Sequence, residues 1–231
     1  MKVSATAVDE RIMTICFHGI GTPTRSLEPG EERFWIDKAR YRDLLDAICD
    51  HPRTVDITFD DGNASDADIG LPPLRDRYLK AQFFIITDRI DRPGSLASGQ
   101  LLDLADAGMS FGTHGASHRP WPELATQGLL DDELAASRGC LQDLLGQEID
   151  HAAFPRGLYD RRVLTVLRRN GIRRAYSVDE GTSPRDSWLR TRYSVIFSDT
   201  PESISALLSN PYLFVGPRTL HRMKLTVKRW M

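Results

Sequence analysis

Cysteine is scarce in this chain, with three residues among 231. A small, odd number argues against a disulfide framework and for a reducing compartment. Net charge is scarce too: 30 Lys+Arg nearly offset 32 Asp+Glu, leaving −2 with the six His counted as neutral. A dedicated nucleic-acid binder usually carries a basic excess, so that class is set aside. No apolar run approaches the ~18–20 residues of a membrane span. Residues 1–11 carry Lys2, Asp9, Glu10 and Arg11 where a signal peptide needs an uninterrupted apolar core, so a cytoplasmic protein is expected. Internal repeats and low-complexity blocks are missing as well.

What is present is an ordinary globular composition. Hydrophobic residues make up 41%, with 17 Gly besides, which excludes disorder as a description of the whole chain. The length fits one domain of roughly 200–250 residues, or two small ones. One stretch is unbalanced: Arg218, Arg222, Lys224, Lys228 and Arg229 face no acid and adjoin Trp230. Such a tail is a solvated terminus, or it suits weak contact with an anionic membrane surface, making the protein membrane-peripheral.

Short apolar runs alternate with helical patterns. Strands are expected over 12–17, 55–59, 81–86, 109–112, 152–154, 175–178 and 193–197. Helices are expected over 41–48, 72–79, 101–107, 129–145, 161–169 and 204–208, with Gly108 and Gly146 as stops. Strand–helix alternation at this pitch gives an α/β fold with a parallel sheet, either a (β/α) barrel or a doubly wound sheet. In both, ligands bind where the strands end. The unusual residues gather there: His18, Asp60-Asp61-Gly62, His114 and His118, and Pro155-Arg156-Gly157.

Three of these segments carry chemistry. In Thr58-Phe59-Asp60-Asp61-Gly62 two carboxylates adjoin at a strand exit. A turn at Gly62 lets both reach one site, and a cation relieves their repulsion, one Asp ligating while the other acts as base. His114-Gly115-Ala116-Ser117-His118 brings two imidazoles within reach of one ion. Two His and a carboxylate suit Zn²⁺, Fe²⁺, Co²⁺ or Ni²⁺. Phe154-Pro155-Arg156-Gly157 is a tight turn after a strand, able to offer a backbone N–H to a developing oxyanion. Trp35, Trp121 and Trp188 lie in expected loops able to cover such a site, and the Trp121 ring either stacks on a sugar face or packs as core. His51 and His151 are expected to be bystanders, and Cys16, Cys49 and Cys140 small buried hydrophobes.

This constellation resembles the polysaccharide deacetylase family, the NodB-homology or family 4 carbohydrate esterase domain. Thr58–Gly62 matches its first motif in full. The His pair matches the second, with Gly115 at the usual Ser/Thr. Phe154-Pro155-Arg156-Gly157-Leu158-Tyr159-Asp160 matches the third, and order and spacing agree over roughly residues 12–197. The resemblance implies a distorted (β/α)7-type barrel forming one domain over 1–231, with 198–231 as terminal helix and basic tail. It also implies removal of N-acetyl groups from an N-acetylhexosamine-containing saccharide or glycan precursor. By position, Asp60 becomes the catalytic base. Asp61, His114 and His118 become ligands of one divalent metal, Zn foremost, with Co, Ni or Fe as alternatives. The Arg156 N–H becomes an oxyanion donor, with Tyr159 of the same motif as a candidate contact to substrate or oxyanion. Ala153 replaces the Arg that many members hold against the base, and Arg192 is the candidate substitute. His18, in a strand like the Tyr-His strand of one branch, orients the site or shuttles a proton. His221, in Leu220-His221, is the alternative general acid. The competing readings are an amidohydrolase acting on a non-sugar amide or imide, and a non-catalytic carbohydrate-binding relative.

Overall fold

In the computed structural model, residues 11–210 are described. The basic tail and His221 therefore lie outside the described residues. The chain begins with β1 (Arg11–Phe17), α1 (Lys38–Cys49), β2 (Val55–Asp61), α2 (Leu71–Asp76), β3 (Ala81–Ile85) and α3 (Ser98–Asp106). It continues through β4 (Ser110–Thr113), α4 (Trp121–Gln127), α5 (Leu130–Leu145), β5 (His151–Ala153) and α6 (Arg161–Arg169). It ends with β6 (Arg174–Tyr176), β7 (Thr182–Pro184), β8 (Leu189–Arg190), β9 (Tyr193–Ser194) and α7 (Pro201–Ser209). Three helices start on side-chain caps. Asp37 accepts from the Arg40 N–H, Asp160 from Val163 and Thr200 from Ser203, each satisfying a first-turn donor that would otherwise be unpaired.

Strands β1 to β6 pair in parallel in sequence order. β8 then pairs with β6, while β9, two residues further on, pairs with β1. One extended segment, 189–194, thus bridges the last strand to the first and nearly closes the sheet into a seven-staved barrel. β7 pairs with the start of β1 on this same edge, away from β2, in antiparallel register with Arg11 opposite Pro184. Alternation along each strand sorts the side chains. Ile57, Phe59, Phe83 and Phe111 point outward and form one core with Leu44, Leu45, Leu101, Leu104 and Leu207 of the helices. A second outer core joins Ala152 and Ala175 to Trp121, Leu134, Val163 and Leu167. Each fully buried Leu or Phe contributes roughly 1.5–3 kcal/mol. Inside the barrel the apolar content is small: Phe84, Ala153 and Tyr176 form a separate plug.

Three expectations change. α4 is a helix where a loop was expected; Pro122 occupies its first turn, where the missing N–H costs nothing. The helix expected at 72–79 is present as α2 but ends early, at Asp76, and it is preceded by a π-helical turn over Asp66–Gly70. Cys16 is buried as expected, but Cys49 and Cys140 are exposed on their helices. Among the described residues no helix is long and apolar enough to cross a membrane.

Candidate metal centre and its surroundings

The two carboxylates sit at the mouth of the barrel because β2 does not end in ordinary extended backbone. The ladder to β3 runs through Asp60 opposite Phe84 and Asp61 opposite Ile85. Adjacent strand residues normally face opposite sides, but Asp61 has φ +77° and Gly62 φ +73°. That left-handed turn swings the Asp61 carboxylate back over the barrel, to the side where Asp60 already points. The same conformation, uncommon for a non-glycine residue, recurs at His118 (φ +60°) and Arg156 (φ +56°). Such positions cost on the order of 1–3 kcal/mol and persist only where the surroundings enforce them. Three of them meet at this one site.

Asp60 is 2% exposed and receives both arms of the Arg192 guanidinium, at 2.6 and 2.7 Å. Arg192 is fully buried in the closing segment between β8 and β9, and it also donates to Thr58 Oγ1 at 3.2 Å and Ser177 O at 3.3 Å. Burial alone would raise the Asp60 pKa; Arg192, then His114, hold it well below the usual carboxylate range. Burial would likewise lower the Arg192 pKa, and Asp60 instead holds it above its ordinary value. Both shifts describe an ionised pair. Arg192 is therefore the arginine held against Asp60.

The two histidines present their Nε2 atoms to Asp61. His114 is held by its backbone N–H on Ile85 O at 2.9 Å, and its Nδ1 donates to Ala153 O at 3.0 Å. A carbonyl only accepts, so Nδ1 carries the proton and Nε2 keeps its lone pair. Burial, against the pull of Asp60, pushes the His114 pKa down to about 4, so the ring is neutral at pH 7. His118 Nδ1 lies 3.0 and 3.1 Å from the two oxygens of Glu28. Each Nε2 is 3.6 Å from Asp61 Oδ1. Two donors each ~2.1 Å from one ion at a tetrahedral angle lie about 3.4 Å apart. The donor set, its burial and these separations fit one divalent ion.

Gly115, the departure from the second motif, has φ +82°, and a Cβ there would lie 2.8 Å from Glu133 Oε1. Glu133 of α5 holds this loop instead, accepting from the Ala116 and Ser117 N–H groups and the Ser117 hydroxyl, each at 2.9 Å. Nothing in the local sequence marks Glu133 or Glu28 for these roles. Each comes from a distant segment and has no motif around it.

The remaining candidates separate. His18 follows β1, half-buried, with its ring stacked on Phe34 at 4.7 Å and Nδ1 buried without a hydrogen-bond partner. A ring nitrogen of His18 lies within 4.8 Å of an Asp60 oxygen, and after burial its charge would act most strongly on Asp61. The Pro155–Gly157 turn brings the Arg156 side chain to Glu28 at 2.9 Å. Tyr159 is 2% exposed and stacked on Phe154, and its hydroxyl lies 2.5 Å from Asp179. Trp121 is fully buried, edge-on to Phe154. A ring without exposed surface cannot stack on a sugar; opening α4 toward the second core takes it inward. Trp188 precedes β8, with its Nε1–H on Ile172 O at 2.7 Å and Arg168 over its ring, at the opposite end of the strands from the carboxylates. Trp35 covers Gly19, whose missing Cβ makes room for the indole. His151 is paired with Gln82 and His51 with Ser209, both away from the metal donors.

Comparison with known proteins adds three findings. A family model described as polysaccharide deacetylase matches residues 47–175. The curated relative YxkH from Bacillus subtilis (strain 168) is 25% identical over 143 residues. Those residues are 62% of this chain and 51% of YxkH, so the chain spans about half the length of that relative. Among solved structures, the Streptococcus pyogenes deacetylase PplD, in complex with acetate, superposes with a TM-score of 0.71 at 19% identity, over 86% of this chain and 98% of PplD. IcaB from Ammonifex degensii gives 0.71 at 19%, over 86% and 97%. At these identities the likeness is one of fold, and the shared fold is the nearly closed α/β barrel.

Proposed function

The chain belongs to the polysaccharide deacetylase family, and from that premise we propose that it is a metal-dependent hydrolase removing N-acetyl groups from an N-acetylhexosamine-containing saccharide. The observation that carries the reading is the convergence of Asp61, His114 and His118 beside a second carboxylate, Asp60, that is kept ionised by Arg192. A divalent ion held by Asp61, His114 and His118, zinc foremost, would supply a Lewis acid for the amide carbonyl and a water of lowered pKa. Asp60, bound to Arg192 and free of the three ligands' work, accepts the proton of the attacking water. The backbone N–H of Arg156 donates to the carbonyl oxygen as negative charge builds there. Water oxygen bonds to the acetyl carbon, the C–N bond breaks and the nitrogen takes a proton. The products are acetate and a free amine. His18 is the residue proposed to deliver that proton, since its imidazole lies close to the base and its Nδ1 has no competing partner.

The test is metal content and acetate release from N-acetylated oligosaccharides by the purified protein. Asp60→Asn is expected to lose activity by orders of magnitude while keeping its metal. His114→Ala is expected to lose both. Retained activity in either variant would sink the assignment.

A further inference from the structure

We infer that Glu28 is a positioning residue of this site, fixing His118 for metal ligation and tying the Arg156 turn to the same carboxylate. The inference rests on the proposed metal centre and deepens it. Glu28 lies in the loop between β1 and α1, 90 positions from His118 in sequence. Its two oxygens lie 3.0 and 3.1 Å from His118 Nδ1. Arg156 Nη2 donates to Oε2 at 2.9 Å, and Arg89, on the turn after β3, is ion-paired to Oε1. Three strand-end segments therefore converge on one side chain from a fourth.

The two histidines are held in different ways. His114 extends from β4 with its backbone pinned to Ile85, and its Nδ1–H meets a neutral carbonyl. His118 has left the strand and stands at φ +60° in a loop, and its Nδ1–H meets an anion. With Nδ1–H committed to the carboxylate, Nε2 is left as the ligating atom, directed to the side where Asp61 Oδ1 lies at 3.6 Å. A carboxylate behind a ligating imidazole sets its tautomer and orientation and strengthens it as a donor, and losing such a partner typically weakens metal affinity by ~10–100-fold. The pair of arginines offsets the charge of Glu28. Through Arg156 the same carboxylate anchors a turn whose own backbone is strained at φ +56°.

The experiment measures Zn²⁺ affinity of the chelator-stripped protein by competition with a chromophoric chelator. Wild type is compared with Glu28→Ala, Glu28→Gln and Arg89→Gln. Glu28→Ala is expected to weaken Zn²⁺ binding ~10–100-fold with the melting temperature of the metal-free protein little changed. Glu28→Gln, which keeps an acceptor but not the charge, is expected to fall between Ala and wild type. It carries the test alone should the Ala variant fail to fold. Arg89→Gln removes an ion pair from the same carboxylate but leaves His118 its acceptor, so its affinity is expected to stay within a few-fold of wild type. The Co²⁺-loaded Glu28→Gln protein is expected to show a shifted visible spectrum, reporting a moved or weakened imidazole. Wild-type Zn²⁺ affinity in both Glu28 variants overturns the inference. An equal loss in Arg89→Gln overturns it too, because the effect would then be general to the loop. If wild type itself takes up no zinc, the metal-centre reading fails along with it.

Discussion

Replacing Arg192 by Met separates a charge effect from a packing effect. Methionine keeps most of the buried stem and removes the guanidinium, which makes two bonds to Asp60, one to Thr58 and one to Ser177. Asp60, 2% exposed, is left an uncompensated buried carboxylate. Breaking a buried ion pair from one side costs about 3–5 kcal/mol. For a chain of this size, ~1 kcal/mol corresponds to roughly 2–4 °C in Tm, so a fall of roughly 6–20 °C is expected. Asp60→Asn alone strands the guanidinium and is expected to cost a comparable amount. The double variant strands no charge and is left only with imperfectly paired neutral groups, at about 1–3 kcal/mol. Urea unfolding of all four proteins, followed by circular dichroism without added metal, completes a double-mutant cycle. The expected signature is a double variant no less stable than either single one. Additive losses, or a cost below about 1 kcal/mol for Arg192→Met, would refute the account of Arg192 as the counter-charge of Asp60.

Two further outcomes test the buried aromatics Trp121 and Tyr159. Trp121→Ala is expected to lose about 3–5 kcal/mol of stability, as core aromatic truncations do, measured by urea unfolding; a weakened KM in a protein of unchanged stability would restore Trp121 as a sugar-stacking ring. Tyr159→Phe removes one hydroxyl from Asp179 and is expected to cost roughly 1–3 kcal/mol in the same assay. Its KM for an N-acetylated oligosaccharide should stay that of wild type, and a raised KM would place the hydroxyl on the substrate after all.

The legible parts of the fold were those with strong periodicity. Ile12–Phe17, Val55–Phe59, Ala81–Ile86 and the long helix of Leu130–Leu145 announce themselves because apolar outer faces repeat with the period of their element. The closing segment is harder because its alternation is inverted. Leu189 packs outward with the second core and Tyr193 with the first, while Arg190 and Arg192 are buried. A barrel whose interior is polar turns the usual inside-apolar rule around for its staves. Cys49 and Cys140 misled in the opposite way, since a cysteine on an amphipathic helix carries no mark of which face it occupies. Within the site, the carboxylate pair and the histidine pair were readable because each is compact in sequence. Glu28 and Glu133 were not, since a hydrogen bond across 90 or 17 positions leaves no local trace.

The closing segment has a consequence for the order of folding. The carboxylate proposed as base and its counter-ion are 132 positions apart in sequence. Contacts that distant carry a large loop-closure cost, because the entropy of closing the intervening loop is lost before the contact returns anything. Until residues 189–194 dock between β6 and β1, Asp60 has no arginine beside it and the barrel has an open edge. Edge protection and charge neutralisation therefore arrive in a single event. A chain paused or cut before Arg192 carries both liabilities at once, a free strand edge and an unpaired carboxylate over a half-built interior.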